Sequence, residues 1–318
     1  MRHLFIINPI SFKYKYRLKD FEKSIESEFA ELPNDTHAIY ISQYLRDSLS
    51  VIEKEIHDLQ PDEKLRVYAA GGNGILFDCL NGIVGQANVS LACLPYGAFN
   101  DFVRSVGIER GSRLQDTISQ LRNGYTLHCD IFKCNNMYAL NHCAIGIEGS
   151  AKRKSSAILK NFPVIFKALS FLIPSVFYAG CLVSFFNKKL RKQYYNITID
   201  NTDYSGNYAN IFIANGCYYS GGRRAAPEAH VDDGLLNVVF CRSLSVWNLM
   251  RYFPKYHKGL YARYPEIFTM VTAKNITIHS SSYPLFVSLD GEVWRDTSLK
   301  INLVENGLAF IVPKRNSQ

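Results

Sequence analysis

The sequence predicts an α/β protein in two parts, an α/β domain followed by a mainly antiparallel β domain. Apolar runs of strand length alternate with helical periodicity from residue 4 to residue 122, which is typical of a parallel sheet covered by helices. A glycine-rich turn at residues 71–74 separates one apolar run from the next helical segment. After residue 125 strands alternate with turn residues, which indicates an antiparallel sheet.

The first part has four predicted strands and five predicted helical segments. The strands are residues 4–7, 37–41, 65–70 and 90–94, and the helices are residues 18–29, 48–59, 75–84, 102–106 and 115–122. Ligands of open parallel sheets bind at the carboxyl ends of the strands. We therefore expect Asn8, Gly71 and Tyr96 at one edge of the sheet.

The second part is predicted to be mostly strands. These are residues 129–134, 137–147, 194–200, 204–214, 235–241, 275–279 and 285–289. The pattern predicts a first domain at residues 1–127, a second at residues 128–305, and a C-terminal segment, 306–318, with a last apolar strand at 308–313.

Composition is that of a globular protein with a basic surface. The 318 residues are 47% hydrophobic and carry a net charge of +8, which is compatible with nucleic acid, an anionic membrane or phosphate-bearing ligands. The eight cysteines form no C-x-x-C pair, which favours buried thiols in a reducing cytosol over disulfides or zinc. The apolar run at residues 4–7 is too short for a signal peptide, so a cytoplasmic location is expected.

Five short motifs occur in order along the chain. They are Asn8-Pro9; Gly71-Gly72-Asn73-Gly74-Ile75 with Asn81-Gly82; Gly97-Ala98-Phe99-Asn100-Asp101; Ala226-Pro227-Glu228-Ala229 with Asp232-Asp233-Gly234-Leu235; and Asp290-Gly291-Glu292. Taken singly, local structure explains each of them, for example a helix N-cap at residues 100–101 or a hairpin turn at 290–291. The glycine turn can also hold a phosphate, because main-chain N–H groups at a helix start are unpaired and face the positive end of the helix dipole.

In this order the motifs resemble the bacterial diacylglycerol kinase family of soluble lipid kinases, whose catalytic core sphingosine and ceramide kinases share. The resemblance covers nearly the whole chain. It implies an NAD-kinase-like or diacylglycerol-kinase-like fold, with an α/β nucleotide-binding domain, a β-sandwich domain, and a C-terminal segment that returns to the first domain. It also implies that ATP and Mg²⁺ bind in the cleft between the domains, and that the γ-phosphate passes to a hydroxyl of a diacylglycerol-like membrane lipid.

The resemblance implies roles for particular residues. The nucleotide contacts would be Asn8, Gly71, Gly72, Asn73, Gly74, Ile75, Gly97 and Asn100. Asp290 would be the general base for the lipid hydroxyl, and Asp101, Glu292 and Asn73 would organise a magnesium–water network. A second, structural magnesium would bind at His230, Asp233 and the carbonyl of Leu235. We expect Asn100 to cap a helix while Asp101 points to the site.

Five positions depart from the family pattern, one of them Phe12, where a glycine is usual. Asn73 replaces an aspartate, although its carbonyl can still accept a hydrogen bond from metal-bound water. Ile75 and Ala98 replace threonines, and an isoleucine cannot contact phosphate through a hydroxyl. His230 replaces a magnesium ligand, for which histidine is poorly suited. Three functions stay open: an active lipid kinase, a relative that binds lipid or nucleotide without efficient turnover, and, fitting the motifs less well, an NAD kinase.

An uncharged segment, residues 168–186, barely reaches the length of a transmembrane helix. We expect no span, because Pro174, Gly180 and three serines interrupt it and because a span would separate residues 71–74 from Asp290. Core packing and contact with acyl chains both remain open for this segment. The expected membrane association is peripheral, no nucleic-acid partner is expected, and a homodimer is left open.

Overall fold

A computed structural model describes residues 1–9, 18–30, 32, 34–44, 46–97, 99–108, 114–161 and 173–314. The chain divides into two compact units. Unit 1 comprises Met1–Ile131 and Glu305–Gln318, and unit 2 comprises Phe132–Val304. The chain therefore leaves unit 1 once and returns to it near its C-terminal end.

A parallel sheet forms the centre of unit 1. Its strands are β1 (Arg2–Ile7), β2 (Thr36–Ile41), β3 (Leu65–Gly71), β4 (Val89–Pro95) and the last part of β16 (Ser298–Val312). The order is β2-β1-β3-β4-β16, with every neighbouring pair parallel. β3 is buried along its whole length, as expected for a sheet with helices on both faces.

The described part of unit 1 contains five helices. They are α1 (Leu18–Phe29), α2 (Ser48–His57), α3 (Asn73–Ile83), α4 (Asp101–Ser105) and α5 (Leu114–Arg122). Phe21 of α1 and Ile118 of α5 pack in one apolar cluster with Tyr68 of β3. α1 has the predicted bounds, and α3 begins two residues before its predicted start, because Gly72 is its N-cap. The predicted alternation of strands and helices is confirmed.

Unit 2 is built mainly from antiparallel strands. They are β5 (Tyr125–Cys134, which begins in unit 1), β6 (Met137–Ala139), β7 (His142–Gly146), β8 (Tyr194–Ile199), β9 (Thr202–Asp203), β10 (Gly206–Ala214), β11 (Leu236–Arg242), β12 (Phe268–Ala273), β13 (Asn275–His279), β14 (Leu285–Leu289) and β15 (Glu292–Asp296). The strands β15-β14-β7-β10 are neighbours in that order and run antiparallel. β10 also pairs with β8 and β11, and β11 pairs with β12. The α/β fold with a β-sandwich-like second part is confirmed.

Four helices of unit 2 accompany these strands. They are α6 (Ile147–Asn161), α7 (Ile173–Phe185), α8 (Lys188–Arg191) and α9 (Val246–Tyr256). The single strand predicted at residues 137–147 is wrong: it is divided into β6 and β7, and Ile147 starts α6. The chain turns into α6 at Gly146, whose φ is +96°.

Within the described residues, no helix has both the length and the apolar character needed to cross a membrane. The uncharged segment predicted at residues 168–186 contains α7 (Ile173–Phe185), whereas residues 168–172 lie outside the described part of the chain.

The cysteines are thiols rather than half-cystines, as predicted, and seven of the eight are buried. Burial raises the pKa of the Cys93 and Cys241 thiols to about 12. These side chains therefore act as small apolar core residues.

Candidate functional site

The carboxyl ends of three parallel strands meet at one edge of the unit 1 sheet. Ile7 of β1 pairs with Ala70 of β3, and Gly71 pairs with Pro95 of β4. The N–H of Asn8 donates to the carbonyl of Ala70 at 3.0 Å. The loops that carry the first three motifs therefore start side by side, as the parallel pattern predicts.

Two of these loops touch through glycines. The N–H of Gly97 donates to the carbonyl of Gly71 at 2.8 Å. A Cβ added to Gly97 would lie 2.2 Å from the Cα of Gly72, so only a residue without a side chain fits this approach. At Gly74, by contrast, no atom lies within 4 Å of the position of a Cβ. The loops are thus fixed against each other, while no other described residue crowds Gly74 at the start of α3.

The first turn of α3 presents unpaired main-chain donors. Gly72 is the N-cap, with extended backbone and no side-chain cap bond. The first helical bond runs from the N–H of Leu76 to the carbonyl of Gly72, so residues 73–75 have no acceptor within the helix. Such N–H groups at the positive end of a helix bind anions. The side chain of Ile75 is buried in the core, so Ile75 can contribute only its main-chain N–H.

Two amide oxygens beside this turn are buried and lack a hydrogen-bond partner among the described residues: Oδ1 of Asn73 and Oδ1 of Asn100. The Nδ2 of Asn100 donates to the carbonyls of Pro95 and Gly97 at 3.1 and 3.0 Å, which assigns the orientation of this amide. Leaving a buried acceptor unpaired costs about 1–3 kcal/mol. These oxygens therefore fit a donor supplied by a bound group, such as water held on a metal ion.

The side chain of Asn100 does not cap α4, so that part of the sequence prediction is wrong. Asn100 holds the N-cap position, but its amide makes no cap bond because it binds the loop that precedes it. Asp101 is the first residue of α4 and is buried. Ala98 lies outside the described residues.

In unit 2, Asp290 forms a turn and buries its carboxylate. Asp290 and Gly291 connect β14 to β15, and both have positive φ, +47° and +106°, as a two-residue hairpin turn requires. The carboxylate, 5% exposed, accepts main-chain N–H groups of Leu140, Asn141 and His142 at 2.7, 3.1 and 2.8 Å. These donors stabilise its ionised form and fix its position.

The main chain at residues 140–142 takes its shape from this contact. The N–H of Asp290 donates to the carbonyl of His142 at 3.0 Å, so the turn and the segment bind each other in both directions. This exchange explains why the predicted strand breaks between β6 and β7. Glu292 follows as the first residue of β15, paired with Leu289.

His142 lies beside Asp290, and the sequence did not single it out. Its buried ring stacks on Phe212, and its Nδ1 is 3.2 Å from Nδ2 of Asn141 and 3.8 Å from Oδ1 of Asp290. Burial, and secondarily the charge of Lys152, lowers the pKa of His142 to about 3. The neutral ring therefore accepts from Asn141 at Nδ1 and carries its proton on Nε2. The available signal was two polar residues, Asn141 and His142, within an apolar run.

A second buried polar cluster surrounds Glu148 at the start of α6. Its carboxylate accepts the hydroxyls of Tyr219 and Tyr256, each at 3.0 Å, and Nδ2 of Asn210 at 2.9 Å. Burial raises the pKa of Glu148 although these three bonds oppose the shift. The Tyr219 hydroxyl also bonds Nδ1 of His257. This network satisfies the buried carboxylate within unit 2, so it serves the core.

The acidic turn at residues 232–234 fits a magnesium ion poorly. Oδ1 of Asp233 accepts the N–H of Leu235 at 3.0 Å, and Gly234 has a φ of +70°, so the turn is satisfied locally. His230 and Asp233 are exposed. Across the part of the chain that the structure describes, no three His, Cys, Asp or Glu side chains come together to hold a metal. The structural magnesium at His230, Asp233 and Leu235 stays a prediction.

Two family models match the chain. Residues 2–134 match the diacylglycerol kinase catalytic domain, and residues 166–312 match the YegS C-terminal NAD kinase beta sandwich-like domain. The chain belongs to the diacylglycerol-kinase-like family. The two matches are consecutive, as the order of the sequence motifs predicted.

Curated relatives support this assignment at low identity. A Staphylococcus carnosus protein is 22% identical over 249 residues, covering 77% of this chain and 76% of the relative. A Staphylococcus aureus (strain Mu3) protein is 24% identical over 280 residues, covering 85% of this chain and 87% of the relative. Both carry the name "Putative lipid kinase". These names support kinase activity at the level of the family.

Solved structures share the fold. A diacylglycerol kinase from Bacillus anthracis strain Sterne superposes with a TM-score of 0.71 at 21% identity, covering 98% of this chain and 97% of the other. An NAD kinase from Archaeoglobus fulgidus in complex with ATP superposes with a TM-score of 0.53 at 9% identity, covering 99% of this chain and 95% of the other. At these identities the likeness establishes the fold alone.

Replacing Gly97 by alanine should destabilise unit 1 by roughly 1–3 kcal/mol, because the new methyl group would overlap the main chain of Gly72. Gly74→Ala is the matched control: its Cβ meets no atom, and alanine in a helix gains about 0.5–1 kcal/mol over glycine. Urea unfolding of the two variants measures the difference. Equal midpoints would show that the two glycine loops do not touch.

The depressed pKa of His142 predicts acid sensitivity. The ring is neutral when folded and takes a proton when unfolded, so its stabilising contribution is present above pH 6.5 and is lost as the pH falls towards about 3. Over that window His142→Gln should reduce the slope of unfolding free energy against pH by up to about 1.4 kcal/mol per pH unit. His57→Gln, at a ring 90% exposed, is the control. Slopes that match for wild type and His142→Gln would contradict a buried neutral ring.

Proposed function

We propose that this protein is an ATP-dependent lipid kinase that transfers the γ-phosphate to a hydroxyl of a diacylglycerol-like lipid. The observation that carries the proposal is the start of α3. There, main-chain N–H groups without helical acceptors lie next to two buried, unpartnered amide oxygens. Phosphoryl transfer consists mostly of positioning phosphates and neutralising charge, and this arrangement suits both tasks.

The N–H groups of residues 73–75 would bind phosphate oxygens, and Gly74, which has no side chain, would leave room for the phosphate. The oxygen donors of Asn73 and Asp101, with Glu292 from unit 2, would hold Mg²⁺ and its waters, which supply positive charge to the transferring group. Asn8 and Gly97, at the same sheet edge, would contact the nucleotide. Peripheral membrane attachment follows from a substrate that resides in a bilayer.

Asp290 would act as the general base. Three main-chain donors fix the position of its carboxylate, which would take the proton of the acceptor hydroxyl. The hydroxyl oxygen attacks the γ-phosphorus, its proton passes to Asp290, and ADP leaves. The neutral ring of His142 packs beside this carboxylate without adding a charge that would compete for the proton.

A second candidate is a relative that binds nucleotide or lipid without efficient turnover. It is favoured by Asn73, which supplies an amide where the family has a carboxylate, and by the burial of Ile75. A third candidate, an NAD kinase, differs only in the acceptor. The acceptors tested should therefore be diacylglycerol, a total lipid extract and NAD, each with labelled ATP.

Asp290→Asn should lower kcat for lipid phosphorylation at least about 100-fold, the usual size of a general-base contribution, with little change in the KM for ATP. Asp203→Asn is the matched control, since Asp203 is an exposed carboxylate of unit 2 that accepts the main-chain N–H of Ser205 at 3.0 Å. Thermal unfolding of both variants separates misfolding from lost catalysis. Unchanged labelling of lipid by folded Asp290→Asn would remove Asp290 from this role.

Asn73→Asp distinguishes an active kinase from a non-catalytic relative. If the proposal is right, the wild type turns over, and the added carboxylate raises kcat by roughly tenfold through stronger attraction for the metal ion. Gln86→Glu makes the same amide-to-carboxylate change at an exposed position just after α3 and should leave kcat within experimental error. A wild type without turnover that gains activity only on Asn73→Asp would support the second candidate and overturn the first.

A further inference from the structure

We propose that the outward face of α7, together with the basic residues around it, docks unit 2 on an anionic lipid bilayer. We call the side chains of Tyr178, Leu182, Val183 and Phe186 the α7 patch. The inference deepens the proposed function, on which it rests for its biological purpose, by naming the surface that meets the membrane.

The α7 patch is apolar and exposed. Tyr178, Leu182, Val183 and Phe186 are 44%, 44%, 58% and 66% exposed. Tyr178, Leu182 and Val183 lie on one side of α7 by their spacing of four and one residues, and Phe186 directly follows the last residue of the helix.

The opposite side of α7 is also apolar. Phe177, Cys181 and Phe185 are buried in the core of unit 2, and no charged residue occurs within Ile173–Phe185. A surface helix normally carries charged residues on its outer side. A contiguous exposed apolar surface of this kind is typical of a docking face.

All charged residues in the chain around α7 are basic. From residue 149 to residue 199 the sequence contains no Asp or Glu. The described basic side chains in this stretch are Lys152, Arg153, Lys154, Lys188, Lys189, Arg191 and Lys192. They lie on the two elements next to α7, because α6 packs against α7 and α8 directly follows it.

Two contacts show this packing. Nζ of Lys154 donates to Oγ of Ser184 at 3.1 Å. A Cβ on Gly180 would lie 2.9 Å from the carbonyl oxygen of Ala151, so α6 and α7 are in close contact. These contacts lie on the buried side of α7, so α6 with its basic residues is fixed against that helix.

A further exposed aromatic side chain, Trp247, lies on α9, a helix that packs against α7. It is 77% exposed and lies in the first turn of α9. Arg191 of α8 donates to the carbonyl of Leu244, just before α9, at 2.7 Å, and Phe253 of α9 packs on Phe185 at 5.0 Å between ring centroids. Tryptophan favours the interface between headgroups and acyl chains, so its exposure here agrees with a lipid partner.

A bilayer fits this surface better than a second copy of the chain. In a dimer formed through the α7 patch, each copy has a net charge of +8, and the basic residues near the patch of one copy would repel those of the other. A bilayer with anionic lipids offers acyl chains to the apolar stripe and phosphates to the lysines around it.

The test is co-sedimentation without ATP, using vesicles of phosphatidylcholine alone or mixed with phosphatidylglycerol. Wild type should bind the mixed vesicles more tightly. Val183→Ser combined with Phe186→Ser should weaken that binding by at least about tenfold. Lys188→Gln combined with Lys189→Gln should weaken it by roughly fivefold per lysine.

The matched controls are in unit 1. Tyr44→Ser changes a side chain that is 70% exposed, and Lys54→Gln with Lys64→Gln removes two exposed lysines. Both should bind vesicles as the wild type does. In a Trp294→Phe background, the fluorescence of Trp247 should shift to shorter wavelength on mixed vesicles only.

An equal loss of vesicle binding in the α7 patch variants and in the unit 1 controls would overturn the proposal. Equal binding of the wild type to both kinds of vesicle would overturn it too. A patch variant that turns a dimer into a monomer, while vesicle binding stays unchanged, would assign the face to a second copy. The failure of the kinase proposal can be distinguished from the failure of this one. Asp290→Asn should bind vesicles normally, and the patch variant should still phosphorylate lipid presented in non-ionic detergent micelles.

Discussion

The buried carboxylate of Asp290 holds together the part of unit 2 on which the proposed chemistry depends. It accepts three successive main-chain N–H groups from residues 140–142, while its own N–H returns a bond to His142. The pairing of β14 with β7 continues up to this turn. The carboxylate is therefore both a structural ligand and a candidate base, and its position is fixed before any substrate binds.

Unit 1 satisfies a different constraint, the close approach of two main-chain loops at Gly72 and Gly97. Their contact brings the start of α3 next to the loop of Asn100 and Asp101. It also buries two amide oxygens without partners, an arrangement that costs stability. Buried groups without partners are often explained by function, and this supports the proposal of a phosphate site at the start of α3.

Two buried titratable groups of unit 2, Glu148 and His142, differ in their surroundings. Glu148 is surrounded by donors from Tyr219, Tyr256 and Asn210, and this closed network leaves it a structural role. His142 has fewer bonds and lies against the proposed base. Both side chains lie in the core of unit 2, since the His142 ring packs on Phe212 and Tyr219, and they differ in that only His142 lies beside Asp290.

The alternation of strands and helices, the bounds of α1 and β13, the thiol state of the cysteines and the family could all be predicted from the sequence alone. These follow from local periodicity and from short motifs. Only the tertiary structure decided that residues 137–147 form two strands, that Asn100 binds backwards instead of capping, and that Ile75 turns into the core. It alone revealed His142 and Glu148. The physical reason is that burial and hydrogen-bond partners come from distant residues, as when Asp290 binds a main chain 150 residues away.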